Sequence, residues 1–143
     1  MPFEFLEDIA TADIAFLARG KDLEETFVSA ADATLNVMVE EIDSIHPLER
    51  RELNLQNEAL DMLLFNLLQE LIYYKDSEKL MLRIHQIRIR EAGSLHVLEA
   101  VCLGEKLDPN RHRLRVDVKA VTLHRFRLER TAQGWEALVI LDI

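Results

Sequence analysis

The sequence contains little cysteine: Cys102 is the only one in 143 residues, so an internal disulfide is impossible. A reducing compartment fits this count, and we expect Cys102 to be a small buried side chain in a strand rather than a nucleophile. No apolar run approaches the roughly 18 residues that span a bilayer. The N-terminus has no basic segment or cleavage site typical of an export signal. These absences predict a cytoplasmic protein that does not contact a membrane.

An excess of basic residues is also missing. The chain has 17 Lys and Arg against 26 Asp and Glu, which gives a net charge of −9. Residues 1–82 carry a net charge of −12, whereas residues 83–143 carry +3. Proteins that bind nucleic acid on their own usually have a clear excess of Lys and Arg over Asp and Glu. We therefore expect no strong direct nucleic-acid binding. The acidic part is better suited to a cation or to a basic surface on a protein partner.

Common catalytic motifs are absent from the sequence. It contains no GxSxG, HExxH, paired CxxC or GxxxxGK[ST] pattern. No two of the five histidines have the i, i+4 spacing of a helical zinc site. The sequence therefore gives no sign of a common type of catalytic centre.

Two helices are predicted from apolar residues at three- and four-residue spacing. Asp22 is the expected N-cap of the first, which should run for about 20 residues and be anchored by Leu23 and Phe27. Asn57 is the expected N-cap of the second. Its wide Leu and Ile stripe, from Leu60 to Ile72, should form the centre of the core.

Strands are predicted where apolar and polar residues alternate, with turns at Gly93 and Gly134 and a longer loop at 104–110. The expected strands cover residues 3–6, 12–18, 51–56, 80–90, 95–103, 113–118, 122–128 and 135–141. Successive strands favour an antiparallel sheet. The sequence therefore predicts a single domain, residues 1–143, of the α+β class, with two amphipathic helices covering one face of a mainly antiparallel sheet in two layers.

Two carboxylates stand in unusually apolar surroundings. Asp13 lies between Ala12 and Ile14, and Asp142 lies between Leu141 and Ile143. The simpler interpretation makes Asp13 a turn or edge residue and Asp142 part of a frayed terminus. In the alternative, Asp13, Asp142 and the terminal carboxylate of Ile143 meet, and three hard oxygen donors suit Ca²⁺ or Mg²⁺.

Five segments in chain order resemble the archease family. They are Asp8–Ile14, Leu67–Tyr73, Gly104–His112, Val118–His124 and Trp135–Ile143. Archeases are helpers of the RtcB-type RNA ligase, which joins spliced tRNA halves. The resemblance therefore implies an archease fold and an accessory protein that is not an enzyme itself. Its implied role is to promote guanylylation and multiple turnover of that ligase, in tRNA splicing and RNA repair.

The resemblance also implies site residues. In the family, the two aspartates and the final residue bind a divalent ion, typically calcium, and these positions match Asp13, Asp142 and Ile143. Many archeases have a histidine three residues before the first aspartate, where this sequence has Ala10. Asp8 is a candidate for a distant or water-bridged contact in its place.

Lys119 matches the lysine of the family's KAVT-type segment. From the sequence pattern alone, Lys119 is most simply a solvated residue on a sheet, with Val118 and Ala120 pointing to the opposite face. The family resemblance instead implies that Lys119 lies near the metal and faces the ligase, where its ammonium could meet a phosphate or a carboxylate. His124 and the pair Arg111 and His112 are weaker candidates for contact with the partner.

Three other functions stay open. The first, also associated with archeases, is a chaperone or specificity modulator of a tRNA-modifying methyltransferase. The second is a metal-dependent hydrolase, although the sequence offers no clear base for an activated water. The third is direct tRNA binding through the basic residues 83–130.

Overall fold

The structure is a computed structural model that describes residues 2–7 and 13–143. Its helices are α1 (Leu23–Met38), a short 3₁₀ turn (Ile42–Ser44) and α2 (Leu60–Glu78). Its strands are β1 (Phe3–Leu6), β2 (Asp13–Gly20), β3 (Glu49–Asn57), β4 (Leu80–Ala92), β5 (Leu95–Lys106), β6 (Ala120–Val121), β7 (Arg127–Thr131) and β8 (Gly134–Asp142).

The described strands form two sheets, and every pairing between them is antiparallel. One sheet has the order β1-β2-β8-β6, with β7 also paired to β8, and the other has the order β3-β5-β4. Both helices contact strands of both sheets. The predicted α+β class, with two helices on antiparallel strands, is confirmed. The strands are nevertheless divided between two sheets, whereas the sequence predicted one.

The helix α2 is the centre of the core, as predicted. Its Leu63, Leu64, Leu67 and Leu68 side chains are fully buried. Each such burial contributes about 1.5–3 kcal/mol. None of the described helices is both long enough and apolar enough to cross a membrane.

The helix ends are set by local hydrogen bonds. The side chain of Asp22 accepts a bond of 2.8 Å from the backbone N–H of Glu25, which confirms the predicted N-cap of α1. This helix has 16 residues rather than about 20, because Val39 is extended and pairs with Leu114. Asn57 is not the cap of α2, since β3 runs through it; its side chain accepts from the N–H of Ala59, the actual cap residue.

Two predicted strands are wrong. Residues 113–118 alternate as a strand would, but they form only an isolated bridge. They run beside the end of α1, where the backbone N–H of Arg115 donates to the carbonyl of Met38 at 2.9 Å. The predicted strand 122–128 is interrupted by a turn, in which Phe126 donates to the carbonyl of Leu123 at 3.2 Å. Alternation alone cannot tell a paired strand from an extended segment, because both place successive side chains on opposite sides.

Candidate metal and partner-activating site

The antiparallel register of β2 and β8 brings the two predicted aspartates together. Asp13 begins β2, Asp142 ends β8, and the two are directly opposite each other in the ladder. Opposed residues in an antiparallel pair point to the same face, with Cβ atoms about 4.5–5.5 Å apart. The two carboxylates therefore lie side by side at one end of the five-stranded sheet.

The electrostatics of this pair favour a cation. Asp13 is half-buried and Asp142 is exposed, and neither forms an ion pair with another described residue. Two carboxylates about 5 Å apart repel by roughly 3 kcal/mol at an effective dielectric constant of 20. Their oxygens are the donors that Ca²⁺ and Mg²⁺ take. The pair thus fits a divalent cation.

Two carboxylates do not complete a metal site. Among the residues that the structure describes, no three His, Cys, Asp or Glu side chains cluster closely enough to hold an ion. Ile143, the third ligand that the resemblance implies, directly follows Asp142, is half-buried and packs against the core. Asp8 and Ala10, which the sequence singled out, lie outside the described residues.

Lys119 adjoins the pair through its backbone. Its N–H donates to the carbonyl oxygen of Asp142 at 2.8 Å, and the next residue, Ala120, is the register partner of Asp142 in β6. Lys119 itself precedes the strand. It is exposed whereas Val118 is fully buried, so the two side chains point to opposite sides, as predicted. The side chain of Lys119 is therefore exposed, on a backbone that is hydrogen-bonded to Asp142.

An open depression borders the site on the side of Asp13. It has a volume of about 470 Å³, with Asp13, Glu7 and Arg115 among its polar lining and Phe5 and Val37 among its apolar lining. Sequence reasoning missed Glu7 and Arg115, because Glu7 lies outside the family motif and Arg115 appeared to be an ordinary outward residue of a strand. A guanidinium here can bind a phosphate or a carboxylate.

The sequence model of the archease protein family (MTH1598/TM1083) matches residues 3–143. The chain belongs to the archease family. It is 37% identical over 134 residues to protein archease of Pyrococcus abyssi, covering 93% of this chain and 94% of that one. With protein archease of Methanosarcina mazei it shares 37% identity over 142 residues, covering 99% and 95%.

Two solved structures resemble this family member. The solution structure of protein 1598 of Methanobacterium thermoautotrophicum has a TM-score of 0.86 and 33% identity, covering 99% of each chain. The crystal structure of a Thermotoga maritima protein, described as an archease and possible chaperone, has a TM-score of 0.61 and 21% identity, covering 94% of this chain and 93% of that one. The second likeness concerns the fold alone.

The weaker candidate His112 is a structural residue. Its ring is buried, with Nδ1 accepting from the N–H of Asp108 at 2.9 Å, so that Nε2 carries the hydrogen and donates to Glu105 Oε1 at 2.8 Å. The same buried Glu105 accepts from Arg111 and from the N–H of His46. Burial, followed by the charge of Arg111, lowers the pKa of His112 against the opposing effect of Asp108. The prediction that His112 faces a partner is wrong.

The other weak candidate, His124, lies in the exposed turn between β6 and β7. Leu123 beside it is 60% exposed, and Arg125 has a φ of 54°, which is uncommon for a residue with a side chain. Phe126 anchors the turn by an edge-to-face contact with Phe65 of α2, at 5.7 Å between ring centroids. This turn therefore stays a candidate for partner contact.

A buried lysine near the site was also missed. Lys75 of α2 is 7% exposed and donates to the side chain of Asp117 and to the carbonyl of Val118. Burial alone would lower the pKa of Lys75, but the hydrogen bonds that its ammonium donates to Asp117 and Asp76 outweigh burial and raise the pKa. The signal was in the sequence, because Lys75 follows Leu71 and Leu68 at the spacing of the apolar stripe.

Proposed function

We propose that this chain is an accessory protein that activates an RtcB-type RNA ligase. It promotes guanylylation of the ligase, and hence multiple turnover, in tRNA splicing and RNA repair. The observation that carries the proposal is the register of Asp13 against Asp142, in a chain whose family match covers residues 3–143. The backbone N–H of Lys119 also donates to the backbone carbonyl of Asp142. The chemistry of ligation belongs to the ligase.

In this proposal the carboxylates of Asp13 and Asp142, with the terminal carboxylate of Ile143, hold a divalent cation. Calcium is the expected ion and magnesium the alternative, since all the donors are hard oxygens. When bound, the ion supplies positive charge that offsets the repulsion between the carboxylates and can attract a partner oxygen. Lys119 then meets a phosphate or a carboxylate of the ligase, and its backbone keeps it next to Asp142.

The charge of the chain supports a protein partner over naked RNA. A net charge of −9 opposes phosphate binding, whereas the net −12 of residues 1–82 favours a basic protein surface. Direct tRNA binding through residues 83–130 is therefore a weaker hypothesis than binding to a protein partner. A filter-binding titration across a range of salt concentrations tests it, because phosphate contacts weaken steeply with salt.

The test is the rate at which the ligase is guanylylated with and without this protein. Asp13→Asn, Asp142→Asn and Lys119→Met should each remove most of the stimulation that the wild type gives. Two matched controls, Glu58→Gln and Lys21→Met, change exposed side chains of the same charges and should stimulate like the wild type. Equal stimulation by all variants would exclude the proposed site.

A second candidate is a chaperone or specificity modulator of a tRNA-modifying methyltransferase. Exposed apolar side chains favour it, among them Leu114 at 43%, Val116 at 42% and Leu123 at 60%. This function predicts slower aggregation of the methyltransferase, measured by light scattering, with no effect on guanylylation.

A further inference from the structure

The backbone that carries Lys119 receives little support from a sheet. Residues 113–119 contain no strand, and β6, which follows, is only two residues long. Such a short pairing leaves the position of Lys119 weakly fixed, because each ladder bond contributes about 0.5–1.5 kcal/mol. Other contacts must hold the lysine beside Asp142.

One such contact comes from Lys75. Its Nζ lies 2.5 Å from Asp76 Oδ1, 2.6 Å from Asp117 Oδ1 and 2.7 Å from the carbonyl oxygen of Val118. An ammonium has three donors; two of them bond to Asp117 and to Val118, and Asp76 lies at ion-pair distance. Burying a charged group is costly unless it is paired and hydrogen-bonded, and both of these hydrogen bonds go to the segment directly before Lys119.

A second contact comes from Gln69, six residues earlier on α2. Its side-chain oxygen accepts a hydrogen bond of 3.0 Å from the backbone N–H of Val121. The two α2 side chains therefore hold the segment on both sides of Lys119. Between them, the N–H of Lys119 donates to the carbonyl of Asp142.

We propose that Lys75 and Gln69 are positioning residues that hold the backbone of Lys119 against Asp142, at the end of the sheet where Asp13 and Asp142 lie. The importance of that position rests on the proposed function, whereas the positioning itself is a property of the isolated chain. Neither side chain contacts the partner in this proposal; each acts through the backbone of residues 117–121.

Amide hydrogen exchange, measured by NMR on the isolated protein, tests the positioning. Lys75→Met removes the ammonium and keeps an unbranched apolar stem. Exchange at the Lys119 amide should rise on the order of tenfold, as expected when a charge-assisted contact is lost locally. Amides of β5 should keep their wild-type rates. Lys21→Met, which changes an exposed lysine, should leave both unchanged.

Two further variants keep the proposal testable if Lys75→Met does not fold. Gln69→Leu should speed exchange at the Val121 amide, because that N–H loses its acceptor. Asp117→Ala removes one of the three partners of Lys75. The change is made at the surface, because the Asp117 side chain is 68% exposed. It should raise Lys119 exchange in the same direction by a smaller factor.

Two results would overturn the proposal. In the first, Lys119 exchanges at the same rate in Lys75→Met as in Lys21→Met. In the second, β5 amides accelerate as much as Lys119, which would mean that the whole fold is destabilised.

Ligase stimulation provides an independent readout. Lys75→Met should lower the maximal stimulation severalfold without changing the concentration that gives half of it, because the docking surface stays intact. Unchanged maximal stimulation would contradict the positioning role. If the wild type fails to stimulate, the proposed function fails, while the exchange rates still decide whether Lys75 holds Lys119.

Discussion

The three-stranded sheet and the segment 113–126 are built in different ways. The strands β3, β4 and β5 have 9, 13 and 12 residues and are joined by long ladders. Residues 113–126 contain only the two strand residues of β6. They are held by scattered backbone bonds, such as those from Arg115 to Met38 and from Lys119 to Asp142, and by side chains of α2. Regions with few ladder bonds open most easily. Lys119 and the turn at 123–126, which are proposed to meet a partner, thus lie where the backbone depends on a few individual hydrogen bonds and side-chain contacts.

The difference predicts that stability resides in the core around α2 and not in the exposed segment. Leu67→Ala should lower the free energy of unfolding by about 2–5 kcal/mol, because it leaves a cavity in the core. The matched Leu123→Ala, at a residue that is 60% exposed, should change it by less than about 0.5 kcal/mol. Urea denaturation of both variants measures this, and similar losses would contradict the comparison.

A smaller effect of opposite sign is expected at the carboxylate pair. Without divalent metal, Asp13→Asn should raise the free energy of unfolding by up to about 1 kcal/mol, since it removes like-charge repulsion that screening reduces at the exposed Asp142. Thermal unfolding in a chelating buffer measures the change. Glu58→Gln serves as the control and should have no effect. A destabilised Asp13→Asn would show that the carboxylates do not repel each other.

Much of the core helix α2 and of the strands with long ladders could be predicted from the sequence. The apolar stripe of α2 has a clear helical period. The continuous apolar runs in β2 and β8 are long enough to indicate buried strands. The adjacency of Asp13 and Asp142 was expected as one of two interpretations. It follows in the structure from the pairing of those two strands over eight residues.

The remainder depends on contacts that a sequence pattern does not contain. Residues 113–118 alternate like a strand, yet no sheet edge receives them, and they lie against the end of α1 instead. His112 looked like a loop residue because its partner Glu105 is seven positions away and its burial comes from tertiary packing. The division into two sheets likewise depends on which strands meet, and alternation does not specify this.

Acid should weaken the cluster around His112. The pKa of this residue is lowered in the folded state, so below its ordinary value of about 6.5 the unfolded chain binds more protons. The contribution is complete above that value and is lost as the pH falls towards the folded pKa. Thermal unfolding from pH 7 to pH 5 should show a smaller loss in His112→Gln than in the control His124→Gln. Equal losses would contradict this.

The last prediction concerns the reactivity of the Cys102 thiol, which is buried in β5. Burial raises the pKa of its thiol to about 11. A disulfide reagent at pH 8 should therefore react about a hundredfold or more slowly with the native protein than with the unfolded chain. An exposed thiol, Leu123→Cys in a Cys102→Ala background, should react quickly in the native state. Equal rates for the two native thiols would contradict the burial of Cys102.

The central claim is that the register of β2 against β8 builds a divalent-cation site from Asp13 and Asp142. Calorimetric titration of the isolated protein with calcium tests it most directly. The account predicts binding of one ion by the wild type and by Glu58→Gln, and loss of binding in Asp13→Asn and in Asp142→Asn. Calcium binding that survives in both aspartate variants, or no binding by the wild type, would contradict it.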